Sequence, residues 1–226
     1  MPPRSSAPDS SDSLARAVRR EYEGVAGRYD RRWARYVDRS LAVLRPWVEG
    51  AALGDVLDVG TGTGALFPRL RAWGASARVC VGLDPSPAML RRAVARVGDA
   101  PSAAMAPVAG AAEALPFADG SFDTVVSTSA LHYWTDAGGA LREVRRVLRP
   151  GGRVLLLDWS RDFWSMRLLD GAMRLAGVRY ARMYTLRELR TGLEAAGLSV
   201  ARERTARAGG MWGMMAVEAL ASGRGG

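Results

Sequence analysis

The sequence predicts an α/β chain built on a doubly wound, mostly parallel seven-stranded sheet with helices on both faces. Three observations carry that expectation. From residue 55 onward, short apolar β-branched runs alternate with amphipathic stretches of helical length, the pattern of strands joined by helical crossovers. The first run is followed at once by a glycine-rich turn and a helix, a strand–turn–helix unit. The last two runs have no helix between them, so the final strand is expected to be antiparallel.

The elements follow in order. Residues 1–13 are rich in Pro, Ser and Asp and lack an apolar leader core, so they read as a disordered tail. Residues 14–50 read as an N-terminal helical cap. One helix carries Leu14, Val18, Tyr22 and Val25, with a break suggested by Gly24 and Gly27. A second starts near Asp30 and carries Trp33, Val37, Leu41 and Leu44 at three- and four-residue spacing, with Pro46 near its end. The core spans 51–226. Strands are predicted at 55–59, 78–83, 105–109, 122–127, 153–158, 198–204 and 213–219. Helices are predicted at 64–73, 86–97, 136–148 and 185–196, with right-handed crossovers. The stretch at about 159–184 is longer than a crossover needs. It reads as a helical insertion carrying Met166, Leu168, Leu169, Met173 and Leu175.

The chain has 226 residues, 48% of them apolar, enough for one domain with a sizeable core. The net charge of +9 invites a nucleic-acid reading. Yet every basic residue is Arg, and triplets such as Arg91, Arg92 and Arg96, or Arg142, Arg145 and Arg146, fall on solvated helix faces. Nucleic acid is therefore not the expected partner; a small molecule is, on a monomer or homodimer. Cys80 is the lone cysteine, within Val79-Cys80-Val81, so it reads as a buried, inert thiol. A disulfide framework and a cysteine metal site are excluded. No apolar stretch is long enough to span a bilayer, and the chain is expected in the cytoplasm.

The chemistry centres on Val56-Leu57-Asp58-Val59-Gly60-Thr61-Gly62-Thr63-Gly64. Glycines admit positive φ and let backbone approach a ligand, and the helix start is expected to point free N–H groups at the same spot. Dinucleotides and S-adenosylmethionine both use such a turn. Gly60-x-Gly62-x-x-Ala65, with Asp84 further on, even satisfies a relaxed dinucleotide pattern. Asp58 discriminates: an acid at the strand end repels a pyrophosphate and suits the ammonium of a bound amino acid.

Here the sequence resembles the class I S-adenosylmethionine-dependent methyltransferases, and within them the small-molecule branch of ubiquinone and menaquinone biosynthesis. The likeness runs from about Val25 to Gly197. It rests on Val56 to Gly64, Gly82-Leu83-Asp84-Pro85-Ser86 with Met89-Leu90, Glu113-Ala114-Leu115-Pro116-Phe117 with Ser121-Phe122-Asp123, Ala130-Leu131-His132, and Leu148-Arg149-Pro150-Gly151-Gly152. Ala26-x-x-Tyr29-Asp30 resembles the family's cofactor-covering segment. The resemblance implies a Rossmann-like methyltransferase fold and S-adenosylmethionine as cofactor. It implies that Asp58, Gly60, Thr61 and Gly62 hold the methionine end, and that Asp84 holds the ribose hydroxyls. Pro85, Met89, Ala112, Glu113, Ser127 and Tyr29 complete the expected cofactor set. One departure stands out. Gly110-Ala111-Ala112-Glu113 lacks the acid expected before the Glu-x-Leu-Pro-Phe run, so weaker adenine binding is expected.

His132, the sole histidine, follows the fourth strand and is a candidate general base, with a structural or cofactor-contacting role as the alternative. Candidate acceptor contacts are Tyr22, Trp33, Trp134, Asp158, Trp159, Trp164 and Tyr184, since alignment in a dry aromatic pocket is most of what methyl transfer needs. No carboxylate cluster implies a metal. The reading is methyl transfer from S-adenosylmethionine to a small, largely apolar acceptor by in-line displacement. The alternatives are an RNA or protein methyltransferase, a cofactor-binding protein without transfer, and, third, a nicotinamide-dependent oxidoreductase.

Overall fold

The structure is a computed structural model that describes residues 30, 32–97, 105–178 and 180–222. Its seven strands form one sheet in the order β3-β2-β1-β4-β5-β7-β6. They are β1 (Ala52–Val59), β2 (Ser76–Asp84), β3 (Ala106–Ala109), β4 (Phe122–Thr128), β5 (Leu148–Trp159), β6 (Leu198–Arg207) and β7 (Gly213–Ala221). β1 to β5 pair in parallel, and β7 runs antiparallel to both β5 and β6. The predicted architecture therefore holds, last strand included. The helices are α1 over residues 32–41, α2 (Arg45–Val48), α3 (Leu66–Ala72), α4 (Pro87–Val97), α5 (Ala137–Val147), α6 (Trp164–Leu175) and α7 (Leu186–Ala195).

Strand periodicity divides the core in two. Val56, Leu155, Leu157, Met214 and Ala216 face a layer that includes Leu41, Leu66, Leu70 and Ala93 from α1, α3 and α4. Their neighbours Leu57, Val154, Leu156, Met215 and Val217 face the opposite layer, with Leu141, Val144, Leu189 and Leu193 from α5 and α7. These side chains are almost wholly removed from water, and each large one contributes about 1.5–3 kcal/mol. Local chemistry agrees with the packing. Asp136 caps α5 by accepting from the Gly139 N–H at 2.9 Å. Thr185 and Glu188 form a reciprocal capping box on α7.

Three strands begin earlier than the sequence predicts, β2 at Ser76 and, by more residues, β1 and β5. In β1 the pairing shifts register around Gly54, which has φ +67° and where a Cβ would lie 2.3 Å from Asp123 Oδ2. In β5 the Pro150-Gly151-Gly152 stretch, ahead of the predicted strand, is absorbed as an irregularity between the Phe122–Leu148 and Thr124–Arg153 pairs. Cys80 is half-buried, because four-residue β3 covers β2 only from Val81 onward and leaves its first half at the sheet edge. At the amino edge of the sheet Arg78 and Arg149 bridge Asp55 and Asp123, at 2.7–2.9 Å. The Arg78 and Arg149 side chains hold Asp55 below the ordinary carboxylate range.

Among the described residues no helix is long and apolar enough to cross a membrane, and no group of acids, His and Cys is arranged to hold a metal.

Candidate active site

The chain leaves β1 to build β2 and β3 on one side, then returns to build β4 on the other. The carboxyl ends of β1 and β4 thus flank the point where strand order reverses, and a crevice opens there. A cavity occupies it. Its walls are the glycine turn from Val59 to Ala65, the end of β2 with Met89, the Ala111–Glu113 turn, the Thr128–Ala130 segment with Tyr133–Thr135, and one side of α1.

The glycine turn is latched to β2. The Gly60 and Thr61 N–H groups both donate to the Leu83 carbonyl, at 2.8 and 3.0 Å, and the Gly62 N–H donates to Asp84 Oδ2 at 2.9 Å. The adjacent strand end thus takes three N–H groups of the turn itself, ahead of the helix start at Leu66. Two glycines are required by close approach. A Cβ at Gly60 would lie 2.4 Å from Ala130 Cβ, and one at Gly64, 2.9 Å from Ala93 Cβ. Gly62, at φ +54°, faces open space.

Asp84 is the hinge of this arrangement. Its second oxygen accepts the Ser86 N–H at 2.8 Å, so two backbone donors fix the carboxylate in the wall and leave lone pairs for a ligand. Burial raises its pKa, against those two N–H bonds. Asp58 lies deeper, 1% exposed and just behind the turn. Burial pushes its carboxyl up to about 7, and the neighbouring Asp84 charge adds to the rise. Among the described residues, the buried oxygens without a hydrogen-bond partner include Asp58 Oδ1, Thr61 Oγ1 and Ser127 Oγ around the turn and Asp158 Oδ2 at the end of β5. A buried acceptor left so costs about 1–3 kcal/mol. An ammonium-bearing ligand fits the set around the turn, whereas a pyrophosphate would meet two buried carboxylates. The site thus accommodates S-adenosylmethionine.

The other sequence-predicted residues divide. Gly60, Thr61, Gly62, Asp84, Pro85, Met89, Ala112, Glu113 and Trp134 line the cavity. One oxygen of the Glu113 carboxylate, Oε1, accepts from the Thr135 N–H at 2.8 Å and from its hydroxyl at 3.1 Å. Ala111 lines the cavity with no carboxylate to offer. Asp58 and Ser127 sit behind the wall. Tyr22 and Tyr29 lie outside the described residues.

His132 and Asp158 are both 2% exposed and do not line the cavity. Nδ1 of His132 lies 2.6 Å from Asp158 Oδ1, and the imidazole stacks on Trp159 with ring centroids 3.9 Å apart. Asp158, a candidate acceptor contact in the sequence, is paired with His132 in the structure. Trp159 donates from Nε1 to Tyr36 Oη at 2.7 Å. Trp33 meets Tyr36 and Trp212 edge-on. Trp164 lies on the outer side of α6, 66% exposed, and Tyr184 is bridged through its backbone to Ser160; neither lines the cavity.

Sequence reasoning missed Ser129 and Tyr133 in the wall. Ser129 has φ +54°, the sole described non-glycine residue in the left-handed region, and its hydroxyl meets Tyr36 Oη at 2.8 Å. Only its place right after a strand was legible.

A doubly wound sheet with an antiparallel last strand, whose carboxyl-edge crevice pairs a buried acid with a glycine turn, is the arrangement expected of a class I S-adenosylmethionine-dependent methyltransferase. Residues 57–156 match the methyltransferase domain family. The chain is 34% identical over 132 residues, 58% of it and 53% of the relative, to the ubiquinone/menaquinone biosynthesis C-methyltransferase of Geotalea uraniireducens. It is 41% identical over 97 residues, 40% of it and 45% of the relative, to the uncharacterized protein YafE of Escherichia coli. It thus spans about half the length of these curated relatives. In fold it is similar to an S-adenosylmethionine-dependent methyltransferase of Thermotoga maritima, a possible histamine N-methyltransferase, with TM-score 0.73 and 20% identity over 90% of this chain and 99% of that one. Over residues 57–156 the chain matches the methyltransferase domain family, and it is similar to S-adenosylmethionine-dependent methyltransferases of the ubiquinone and menaquinone biosynthesis branch.

Proposed function

We propose that the protein transfers the methyl group of S-adenosylmethionine to a small, largely apolar acceptor. The observation that carries this reading is the polarity of one cavity: buried acids under the glycine turn at one end, and Tyr36, Tyr133 and Trp134 at the other. When bound, the cofactor supplies an activated sulfonium methyl. The residues hold and align. Asp58 pairs with the ammonium, Asp84 accepts from the ribose hydroxyls, and Met89 packs beside the nucleoside. The aromatic end excludes water and orients the acceptor, an effect worth about 7–11 kcal/mol of the barrier. That the Geotalea relative is a quinone-biosynthesis C-methyltransferase supports an apolar acceptor.

His132 is the proposed general base. With Nδ1–H donated to Asp158, its Nε2 keeps the lone pair needed to take a proton. Tyr133, which lines the cavity, and Trp159 both pack on the imidazole, so access requires these rings to shift as the acceptor enters. The test is turnover of labelled S-adenosylmethionine over a panel of phenols, quinols and amines. Label is expected in an aromatic, apolar acceptor. Binding of S-adenosylhomocysteine with no transfer to any acceptor would favour the second reading, a cofactor-binding protein, to which Ala111 lends support.

A further inference from the structure

Helix α6 presents an apolar line that no described residue covers. Trp164, Leu168 and Leu175 are 66%, 66% and 92% exposed. At about 100° per residue they fall within about 40° of one another around the helix axis. The exposed Gly171 lies on the same line. Exposed Met211 adjoins its start, where the Ser165 hydroxyl donates to the Met211 carbonyl at 2.8 Å, and half-exposed Val178 follows its end. Scattered exposed apolar residues are ordinary; an aligned row is an interaction surface.

Charge says what kind. Arg167 and Arg174 lie together on one flank of the row, and the Arg207 guanidinium sits 5.1 Å over the ring of Phe163, just before the helix. Of the segment's acids, Asp170 is buried and accepts from the Tyr180 hydroxyl, while exposed Asp162 is engaged by the Ser160 hydroxyl and the Leu186 N–H. Among the described residues Arg167 and Arg207 form no ion pair: Arg167 donates to the Asp162 carbonyl at 3.2 Å. A second copy of this face would bring like charges together. We propose that α6 docks this protein on an anionic lipid bilayer, with the Trp164–Leu168–Leu175 row in the acyl boundary and the arginines among the headgroups. The inner side of α6 packs, through Met166, Tyr180 and Met183, against Tyr133 of the cavity wall and Trp159. Docking is independent of the acceptor proposed above.

The test is co-sedimentation of the full chain with phosphatidylcholine vesicles, with and without about one-third phosphatidylglycerol. The protein is expected to pellet with the mixed vesicles, less so as salt rises, and to stay in solution with phosphatidylcholine alone. Leu168→Glu and Leu175→Glu are each expected to lower the bound fraction about tenfold, and Arg167→Gln about fivefold, with circular dichroism unchanged. A vesicle-induced blue shift in fluorescence is expected for the wild type and lost in Trp164→Phe. A protein that never pellets overturns the proposal, as does Leu168→Glu binding like wild type. Dissociation of a solution dimer by Leu168→Glu would assign the row to contact between copies instead, and also overturns it.

Discussion

At the scale of single residues, Asp58 makes the sharpest prediction. Its carboxyl titrates near 7 only because it is buried beside Asp84. An arriving ammonium favours the ionised form and draws that pKa down. Affinity for S-adenosylhomocysteine is therefore expected to rise with pH toward and through about 7, then level off, with protons released on binding below that point. Calorimetry in buffers of different ionisation enthalpy reads both. Asp58→Asn is expected to bind roughly 10–100-fold more weakly and to lose the pH slope. The sign for stability is opposite. A raised folded-state pKa means the ligand-free protein binds the proton more tightly than the unfolded chain, so this group's contribution falls as pH rises between 3.8 and about 7. Asp58 and Asp84 were legible because an acid at a strand end has few other uses. The fate of the Glu113 carboxylate was not, since it turns on Thr135, 22 residues away.

At the scale of elements, α1 is the cap. It is fastened at two places: Asp30 accepts from the Thr63 hydroxyl at 2.7 Å and pairs with Arg96, and Tyr36 joins Ser129 to Trp159. Tyr36→Phe keeps the ring in the wall and removes the hydroxyl that holds cap to sheet. It is expected to weaken S-adenosylhomocysteine binding by about 1–2 kcal/mol and to speed hydrogen exchange in α1, with the sheet amides unchanged. The strands were legible because buried parallel strands are continuous apolar runs. The early starts of β1 and β5 were hidden, because Gly54 and the Pro150–Gly152 stretch carry turn chemistry inside a strand. The site was least legible in the acceptor half. An aromatic side chain packs a core and lines a pocket for the same physical reason, so Trp164 and Tyr36 were indistinguishable until α6 and α1 were placed.

For the whole molecule, the net charge of +9 reads differently once the arginines are located. Many close acids within the fold: Arg146 on Glu143 and Asp119, Arg153 and Arg202 on Glu218, Arg190 on Glu203. A protein built to hold RNA would present them unpaired along one groove. Filter binding of labelled RNA is therefore expected to show little retention at about 0.15 M salt and a shallow salt dependence; a steep slope would restore the RNA-methyltransferase alternative.

The latching of the glycine turn to Leu83 and Asp84 has a thermodynamic corollary. The turn surrenders its conformational freedom when the sheet forms, not when a ligand arrives. Cofactor binding then carries little loop-ordering entropy, and the turn acts as a mould whose shape is set by a neighbouring strand.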